Sequence, residues 1–399
     1  MMKHCKRIIA LAVAAAMIFV IAGCGLFTRG PRGEPYPWVF VHGLNGYGDD
    51  SNIPIRYWGG LGGSLLQALE AEGFETHAPS VSPAGSAWDR AAELFAQLTG
   101  TQVDYGIAHS EANGIDRFGA TFDTPLLEGW GEEDENGNLR RVNLIGHSFG
   151  GATIRMLAAL LLNGSPAEQA AAAAAGEEVS PLFAGGKGDW IFSITTIAAP
   201  HNGVSLLSVL EINPGMAALA RAMDQLQIDQ IMDVLGIDIP GVRNFTQFLS
   251  AAEESNTAYA DLSIPGARAL NSLTAVAPGT YYFSFPVAGT DNRGRPTDDM
   301  ALPARLLGQF IGSFTHPASG ITDAWRANDG LVNTISSTRP FGEPSVTISD
   351  IDELDPQPGI WHVMPVVRGD HGSVIGLGRT LEQTLPLYLE HMRMVDGLR

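Results

Sequence analysis

Residues 141–151 read Arg-Val-Asn-Leu-Ile-Gly-His-Ser-Phe-Gly-Gly, and this stretch decides the fold. It joins a short apolar run to the pattern Gly-x-Ser-x-Gly, in which Gly146 and Gly150 flank Ser148. A serine at such a turn adopts a strained backbone conformation, and the small flanking residues let the strand before it and the helix after it pass closely. The stretch therefore predicts a nucleophile elbow that exposes the hydroxyl of Ser148.

The flanking sequence separates this prediction from the alternative, a glycine-rich turn with an ordinary serine. Residues 142–145 form an apolar run typical of a buried parallel strand, and residues 152–162 have the composition of a helix. A strand, a tight turn and a helix are the context that a nucleophile elbow requires. We therefore expect Ser148 to be a catalytic nucleophile.

The composition is that of a folded, acidic protein. The 399 residues are 45% hydrophobic and include 47 glycines, which fits one large or two ordinary globular domains. The formal net charge is −19, and the first 23 residues hold three basic residues and no acidic one, so the remainder carries −22. Nucleic acid is therefore not an expected partner.

The N-terminus has the pattern of a bacterial lipoprotein signal. A basic stretch precedes an apolar run over residues 8–22, and Gly23-Cys24 follows. We expect cleavage before Cys24, so that residues 1–23 are a signal peptide, lipidated Cys24 holds the protein at a membrane, and residues 24–36 form a tether. The alternative, a single transmembrane anchor, needs a longer run of about 20 apolar residues. The expected location is the bacterial cell envelope, with release from it as a further possibility.

Residues 37–399 have the pattern of an α/β protein. Strands are predicted at residues 37–41, 141–145, 191–198, 280–287 and 362–367, separated by helical or loop segments, as a mainly parallel central sheet flanked by helices requires. The first strand runs into a glycine-punctuated loop at residues 42–46, at the sheet edge where open α/β sheets bind ligands. Together with the elbow, this pattern predicts an α/β-hydrolase fold.

A serine nucleophile in this fold is followed along the chain by an acid and then by a histidine. His371 comes after an apolar run and lies in a loop from which its ring can act as general base, although a surface histidine is the alternative. His316 is the reserve candidate. Asp329 is the expected acid, because its position in Asn-Asp-Gly-Leu-Val predicts a carboxylate fixed by its own loop, whereas Asp370 is too close along the backbone to His371.

The oxyanion formed during acyl transfer needs two backbone N–H donors. One is expected from Phe149, the residue after the nucleophile, and the other from Leu44 in the loop after the first strand. A buried loop leucine without this role is the alternative for Leu44, and it is compatible with the same backbone position.

Further motifs accompany the elbow along the chain. They are Tyr57-Trp58-Gly59-Gly60, Trp88-Asp89-Arg90, Val103-Asp104-Tyr105-Gly106, Ser180-Pro181-Leu182-Phe183, Thr195-Thr196-Ile197-Ala198 with Pro200-His201, Asp261-Leu262-Ser263, Asn328-Asp329-Gly330 and Asp370-His371. With these motifs the chain resembles the staphylococcal and thermoalkalophilic bacillar lipases over nearly all of residues 37–395.

The resemblance implies Ser148 as nucleophile, Asp329 as acid, His371 as base and the N–H groups of Leu44 and Phe149 as oxyanion hole. It implies hydrolysis of carboxylic esters, above all triacylglycerols, through an acyl-enzyme and without an organic cofactor. Short-chain esters and polyesters remain alternative substrates, and a serine acyltransferase remains an alternative activity. A binding protein on a hydrolase scaffold is disfavoured because all three residues are present.

The resemblance also implies a zinc site in a small insertion domain at about residues 84–124. Asp89 and His109 match two ligand positions and Asp238 matches a third, but the fourth falls on Ile115, which cannot bind a metal. Either Asn113 or Asp116 would have to substitute for it, or three ligands and a water would hold the ion. Alternatively, Asp89 favours the start of a helix and His109 is a surface loop residue. Calcium is not expected, because the matching positions carry no carboxylate.

Residues of about 204–250 are dense in Leu, Met, Ala and Ile with helical spacing. Their position after the strand at 191–198, together with the resemblance, predicts a helical lid that shields an apolar acyl site in water and opens at a lipid surface. Permanent packing on the sheet is the alternative. The expected partner is a lipid or another ester substrate, and the sequence leaves the oligomeric state open.

Overall fold

A parallel sheet forms the centre of the protein. The computed structural model describes residues 35–51, 53–212, 255–349 and 354–399, of which residues 35–398 belong to one compact unit. In chain order the strands are β1 (Trp38–Val41), β2 (Thr76–His77), β3 (Gln102–Asp104), β4 (Phe118–Thr121), β5 (Val142–His147), β6 (Ile191–Ile197), β7 (Tyr281–Phe285), β8 (Val287–Ala288), β9 (Ser345–Thr347), β10 (Trp361–Val363) and β11 (Val367–Arg368). Seven of them form one sheet in the order β2-β1-β5-β6-β7-β10-β9, with every pairing parallel.

The central strands are buried on both faces, which explains their continuous apolar sequences. On β1, Trp38 and Phe40 pack into one hydrophobic core, whereas Val39 and Val41 pack into the core on the opposite face of the sheet. Burial of each such side chain contributes about 1.5–3 kcal/mol. The two cores together fix the carboxyl ends of the strands, where the candidate site lies.

Helices cover the sheet, and their ends follow from local sequence. The helix at Ala87–Thr99 begins after Ser86, whose hydroxyl accepts a hydrogen bond from the Asp89 N–H at 3.1 Å, and it ends at Gly100 with a φ of 66°. The helices are α1 (Leu65–Ala71), α2 (Ala87–Thr99), α3 (Ile107–Asn113), α4 (Gly150–Asn163), α5 (Pro166–Ala175), α6 (Pro181–Ala184), α7 (Ser205–Ile212), α8 (Ala258–Leu262), α9 (Ile264–Leu273), α10 (Leu302–Ser313) and α11 (Leu381–Asp396).

Two of the predicted strands were wrong in extent, and proline explains both. The strand predicted at residues 280–287 is divided into β7 and β8 at Pro286, and the one predicted at 362–367 is divided into β10 and β11 near Pro365. A proline lacks the N–H that a strand donates to its neighbour. Beyond these breaks β8 and β11 leave the main sheet and pair with each other.

The predicted insertion at 84–124 contains α2, the antiparallel pair β3 and β4, and the short helix α3 between them. Several other predictions lie wholly or largely outside the described residues: the signal peptide at 1–23, the tether at 24–36, Asp238, and the lid at 204–250 beyond α7. Within the described part of the chain, no helix is long and apolar enough to cross a bilayer.

Candidate active site

Ser148 lies at a tight turn between β5 and α4. Its φ is 56°, in the left-handed region that costs a non-glycine residue of the order of 1–3 kcal/mol, and its N–H donates to the Ile197 carbonyl at 2.9 Å. A Cβ on Gly150 would stand 2.1 Å from the Val41 carbonyl oxygen, and one on Gly146 would stand 2.6 Å from Gly150. The two glycines therefore allow the close passage of strand and helix that the sequence predicted.

Asp329 and His371 are joined by two hydrogen bonds. His371 Nδ1 donates to Asp329 Oδ2 at 2.8 Å, and the His371 N–H donates to the Asp329 carbonyl at 2.9 Å. The other carboxylate oxygen of Asp329 accepts from the N–H groups of Leu331 and Val332 at 3.0 and 2.8 Å. The Asp329 side chain is buried, so its own loop fixes the carboxylate that orients the imidazole.

The His371 loop, residues 369–372, is held beside the Ser148 turn. His147, the residue before Ser148, donates from Nε2 to the His371 carbonyl at 3.0 Å, and the two rings have centroids 4.7 Å apart. Asp370 fixes the loop from the other side, because its carboxylate accepts from the N–H groups of Ala301 and Ser373, both at 2.8 Å. The structure thus brings together the segments of the three residues predicted for catalysis, whose roles stay a prediction.

The oxyanion loop, residues 42–46, lies against the nucleophile. A Cβ on Gly43 would be 3.1 Å from the hydroxyl oxygen of Ser148. The Gly43 N–H donates to Tyr57 Oη at 2.7 Å, and the Asn45 N–H donates to the Pro83 carbonyl at 2.8 Å. Within the described residues, the N–H groups of Leu44 and Phe149 donate to no protein acceptor. These are the two donors that the sequence predicted for the oxyanion hole.

The Gly43–Leu44 peptide group is fixed through its carbonyl. That oxygen accepts from His42 Nδ1 at 2.8 Å and from the Gly46 N–H at 3.2 Å. His42 Nε2 in turn accepts from the Val81 N–H at 3.1 Å, so its ring carries its proton on Nδ1. Burial, and then the charge of Arg90, lower the pKa of His42 to about 3. The ring is neutral at physiological pH, and the Leu44 N–H points away from these contacts.

Arg90 lies beneath the oxyanion loop and is fully buried. Its guanidinium donates to the carbonyls of His42 and Ser82 and to Thr153 Oγ1, the latter two at 2.9 and 2.8 Å. Its Cζ stands 5.3 Å from the centroid of the Phe149 ring. Burial lowers the pKa of Arg90 to about 10, which leaves the group charged at neutral pH. Arg90 belongs to one of the sequence motifs, but the motif did not predict a role for it.

Other histidines have structural partners. The reserve candidate His316 bonds to Ser319 in its own loop. His362 bonds to the Tyr282 carbonyl and accepts from the Gln357 N–H, as expected for a residue that points away from the serine. His201 and His391 are buried against threonine hydroxyls of β6. His371 is thus the predicted base that reaches Asp329.

The predicted zinc ligands Asp89 and His109 bond to each other. His109 Nε2 donates to Asp89 Oδ1 at 2.8 Å, and Asn256 donates to Asp89 Oδ2 at 2.8 Å. His109 lies on α3 and stacks on Trp88 with ring centroids 5.0 Å apart, so it is not the surface loop residue considered as the alternative. Asp89 occupies the first turn of α2, where a carboxylate favours the helix.

These residues do not fit a zinc ion by themselves. Ile115 is partly exposed and apolar, and Asp261, an acid that interacts electrostatically with both members of the pair, accepts from the Ala87 N–H at 2.7 Å. Burial raises the pKa of Asp261 to about 6. The described residues contain no group of three or more His, Cys, Asp or Glu side chains arranged to bind a metal. The third predicted ligand, Asp238, lies outside them, so the zinc site that the resemblance implies is untested.

Leucines are exposed around the acid loop. Leu302 and Leu306 on α10 are 69% and 54% exposed, and Leu331, two residues after Asp329, is 41% exposed. The helix packs directly on this loop, since a Cβ on Gly330 would stand 3.0 Å from Ala304. An apolar surface thus adjoins the candidate site, as expected for a protein that meets apolar molecules there.

The chain has relatives among known proteins. The model of the family described as "Lipase-like, C-terminal domain" matches residues 34–384. Lipase 2 of Staphylococcus aureus is 34% identical over 367 residues, which cover 86% of this chain and 50% of that protein. The chain therefore spans about half the length of the curated relatives it matches.

Solved structures match over most of the chain. The crystal structure of Staphylococcus hyicus lipase has a TM-score of 0.74 and 30% identity, and the match covers 93% of this chain and 99% of that one. The structure of lipase 1 from Pelosinus fermentans has a TM-score of 0.71 and 32% identity, with 92% and 99% covered. The parallel sheet, the turn at residue 148 and these matches confirm the predicted α/β-hydrolase fold.

Proposed function

Because the chain belongs to the lipase-like family whose model spans residues 34–384, we propose that it is a carboxylic ester hydrolase, and specifically a triacylglycerol lipase. The observation that carries the proposal is the 2.8 Å hydrogen bond from His371 Nδ1 to the buried Asp329 carboxylate, in a loop held beside the Ser148 turn. This is the constellation that makes a serine hydroxyl nucleophilic.

In the proposed reaction, Ser148 Oγ attacks the ester carbonyl carbon while His371 Nε2 takes the hydroxyl proton. The resulting oxyanion accepts hydrogen bonds from the N–H groups of Leu44 and Phe149, which have no other acceptor among the described residues. The bond to the alcohol then breaks, and His371 returns the proton to the leaving oxygen. The product of this half-reaction is an acyl-enzyme on Ser148 and a free alcohol.

Water completes the cycle. It attacks the acyl carbonyl while His371 takes one of its protons, the bond to Ser148 Oγ breaks, and the proton passes to that oxygen. The products are a carboxylic acid and free enzyme. Asp329 stays ionised throughout, keeps the His371 proton on Nδ1, and stabilises the imidazolium that forms in each half-reaction.

We assign lipids as substrates because of the apolar surface at the site. Leu302, Leu306 and Leu331 present this surface beside the acid loop, and a triacylglycerol has the long apolar chains that it would contact. The segment of residues 204–250, whose sequence has helical spacing, is proposed as a lid over the same site. Lipidation of Cys24 at the cell envelope is proposed from the N-terminal sequence and would hold the site near a membrane surface.

The test compares emulsified long-chain triacylglycerol with a soluble short-chain ester, for the full chain and for Ser148→Ala. Serine-dependent activity that rises sharply once the substrate exceeds its solubility supports a lipase. Activity restricted to the soluble ester makes the protein a carboxylesterase, and products formed only with an added alcohol acceptor make it an acyltransferase. No activity on either substrate overturns the proposal and favours a binding role.

A matched pair of aspartate variants tests the site itself. Asp329→Asn keeps the size of the side chain but presents an amide to His371 Nδ1, which favours the wrong tautomer and should lower kcat by about 10⁴-fold. Asp323 lies on the same segment, is exposed and pairs with Arg326 at 2.8 Å, so Asp323→Asn should leave kcat unchanged. Equal activity of both variants would remove Asp329 from the mechanism.

A further inference from the structure

A line of hydrogen bonds connects the oxyanion loop to the His371 loop. The Gly43 N–H donates to Tyr57 Oη at 2.7 Å, Tyr57 Oη lies 2.7 Å from His147 Nδ1, and His147 Nε2 lies 3.0 Å from the His371 carbonyl oxygen. The four residues belong to four separate segments of the chain. The line therefore exists only when the loop after β1, the turn after β5 and the loop after β11 are all in place.

One arrangement of protons satisfies every group in this line. The Tyr57 oxygen accepts from Gly43, so its own hydrogen donates to His147 Nδ1, and the ring proton must then be on Nε2, where it donates to the His371 carbonyl. Burial, and then the neighbouring His371 ring, lower the pKa of His147 well below its usual value. The His147 ring is therefore neutral and is held in one tautomer from both ends.

Packing leaves this line little room to move. Tyr57 has T-shaped contacts with His42, Trp58 and His147, at centroid distances of 5.7, 5.3 and 5.8 Å. A Cβ on Gly43 would stand 3.0 Å from Tyr57 Oη and 2.7 Å from Ser148 Cβ. Aromatic rings and backbone thus confine Tyr57, and a shift of its hydroxyl would displace the oxyanion loop.

We propose that His147 and Tyr57 are positioning residues, which hold the oxyanion loop and the His371 loop at a fixed separation around Ser148. The inference rests on the proposed function, because it assigns a role in ester hydrolysis at that serine. The transition state needs the oxyanion donors on one side and the base on the other, each within about 3 Å of its reacting atom, and a displacement of about 1 Å lowers the rate by about 10²-fold. Neither residue has to contact the substrate to have this effect.

Four variants separate the two ends of the line. Tyr57→Phe removes only the hydroxyl. His147→Asn retains an acceptor for the Tyr57 hydroxyl, and His147→Gln retains a donor for the His371 carbonyl. His147→Ala removes both the acceptor and the donor. With a soluble p-nitrophenyl ester we expect His147→Ala to lower kcat by about 10²-fold with KM within about twofold. Tyr57→Phe and His147→Asn should each lower kcat by about tenfold, and His147→Gln should recover most of the activity lost in His147→Ala.

The double variant decides whether the two residues act as one unit. Once His147 is alanine, the loss of the Tyr57 hydroxyl should cost less than about threefold more, because the line is already broken. The inference would be overturned if the kcat losses of the two single variants multiplied in the double variant. It would also be overturned if the variants changed KM alone, or if His147→Ala retained the full kcat. Thermal unfolding identifies variants that fail to fold, and Tyr57→Phe, which lacks one oxygen atom, keeps the inference testable in that case.

A matched control and the unsubstituted protein complete the experiment. His391 is also fully buried, has its pKa lowered by burial to about 3, and bonds to Thr195 at 2.6 Å in the core. His391→Gln should reduce stability and leave kcat within about twofold, and a loss equal to that of His147→Ala would overturn the inference. If the unsubstituted protein does not hydrolyse the ester, the proposed function fails; if it does and the variants match it, only the inference fails.

Discussion

Replacement of Arg90 by methionine should separate the rate of the reaction from the stability of the fold. The substitution removes the donors of the His42 and Ser82 carbonyls, and each buried carbonyl left without a partner costs about 1–3 kcal/mol. It also removes a buried charge, and the fall in pKa from 12.5 to about 10 corresponds to about 3 kcal/mol that the folded state regains. The net loss in unfolding free energy is therefore small, about 1 kcal/mol within a range of about −1 to 3.

The effect of the same substitution on catalysis should be much larger. Arg90 donates to the carbonyls of His42 and Gly43 in the oxyanion loop. Its loss therefore loosens the Gly43–Leu44 peptide group, which directs the Leu44 N–H. Because the removal of one oxyanion donor lowers kcat by about 10²–10³-fold, we expect a loss of that size. Steady-state kinetics with a soluble ester and urea unfolding of the same preparation measure the two quantities.

Thr153→Val is the control for Arg90, because it removes the partner of Nε and leaves the bonds to the oxyanion loop in place. The Thr153 hydroxyl also donates to the Phe149 carbonyl at 3.3 Å, but that oxygen keeps the N–H groups of Ala152 and Thr153 as donors, so kcat should change by less than about threefold. A folded Arg90→Met protein with kcat within threefold of the unsubstituted enzyme would refute the reasoning. A loss of stability well above 3 kcal/mol would show that the desolvation of the guanidinium had been overestimated.

Three further predictions concern the turn, the pH and the metal. Gly150→Ala should destabilise the fold by about 3 kcal/mol or more in thermal unfolding, because its Cβ would meet the Val41 carbonyl at 2.1 Å. The control is Gly176→Ala, which should cost only about 1 kcal/mol because a Cβ there meets nothing within 4 Å. Equal losses of stability in the two variants would contradict the steric argument. Five buried histidines have lowered pKa values, so below pH 6.5 the unfolded chain binds more protons and stability should fall as the pH is lowered; they are His42, His147, His201, His362 and His391. Between pH 7.5 and 5.5 the fall measured by urea unfolding should be about 1.4 kcal/mol for each of His42 and His391, whose pKa values lie at about 3, and a flat profile would count against this. Chelator treatment should shift the unfolding temperature by less than about 1 °C, because hydrogen bonds already occupy both oxygens of Asp89, whereas a loss of several degrees that zinc reverses would establish the metal site.

The features that the sequence predicted are those encoded in short segments. The turn at Ser148 needs a strand, two glycines and a helix within a dozen residues, and the loop of Asp329 fixes its own carboxylate through the N–H groups two and three positions later. The central strands were recognisable because burial on both faces requires continuous apolar runs. Local sequence therefore carried both the fold class and the candidate residues.

The features that escaped prediction depend on distant partners or on very short elements. Arg90, Tyr57 and His147 have their partners in other loops, and no periodicity indicates a bond such as that between His147 and the His371 carbonyl. In the sequence, Tyr57 and Arg90 stand out only as members of motifs, and a motif does not show which residues they contact. The edge strands β2 and β9 have two and three residues, too few to form a pattern, and the breaks at Pro286 and Pro365 were overlooked.

The strand order has a consequence for how the protein is made. In the sheet, β1 lies between β2 and β5, and Trp38 on β1 lies opposite Asn143 on β5. The oxyanion loop and the His371 loop come from opposite ends of the described chain. Contacts between residues so far apart in sequence form slowly, because long loops must close first. A nascent chain that has not yet reached residue 371 lacks the proposed base, so the proposed ester hydrolysis would begin only after that residue has been synthesised. The appearance of the proposed activity would then report the final step of folding.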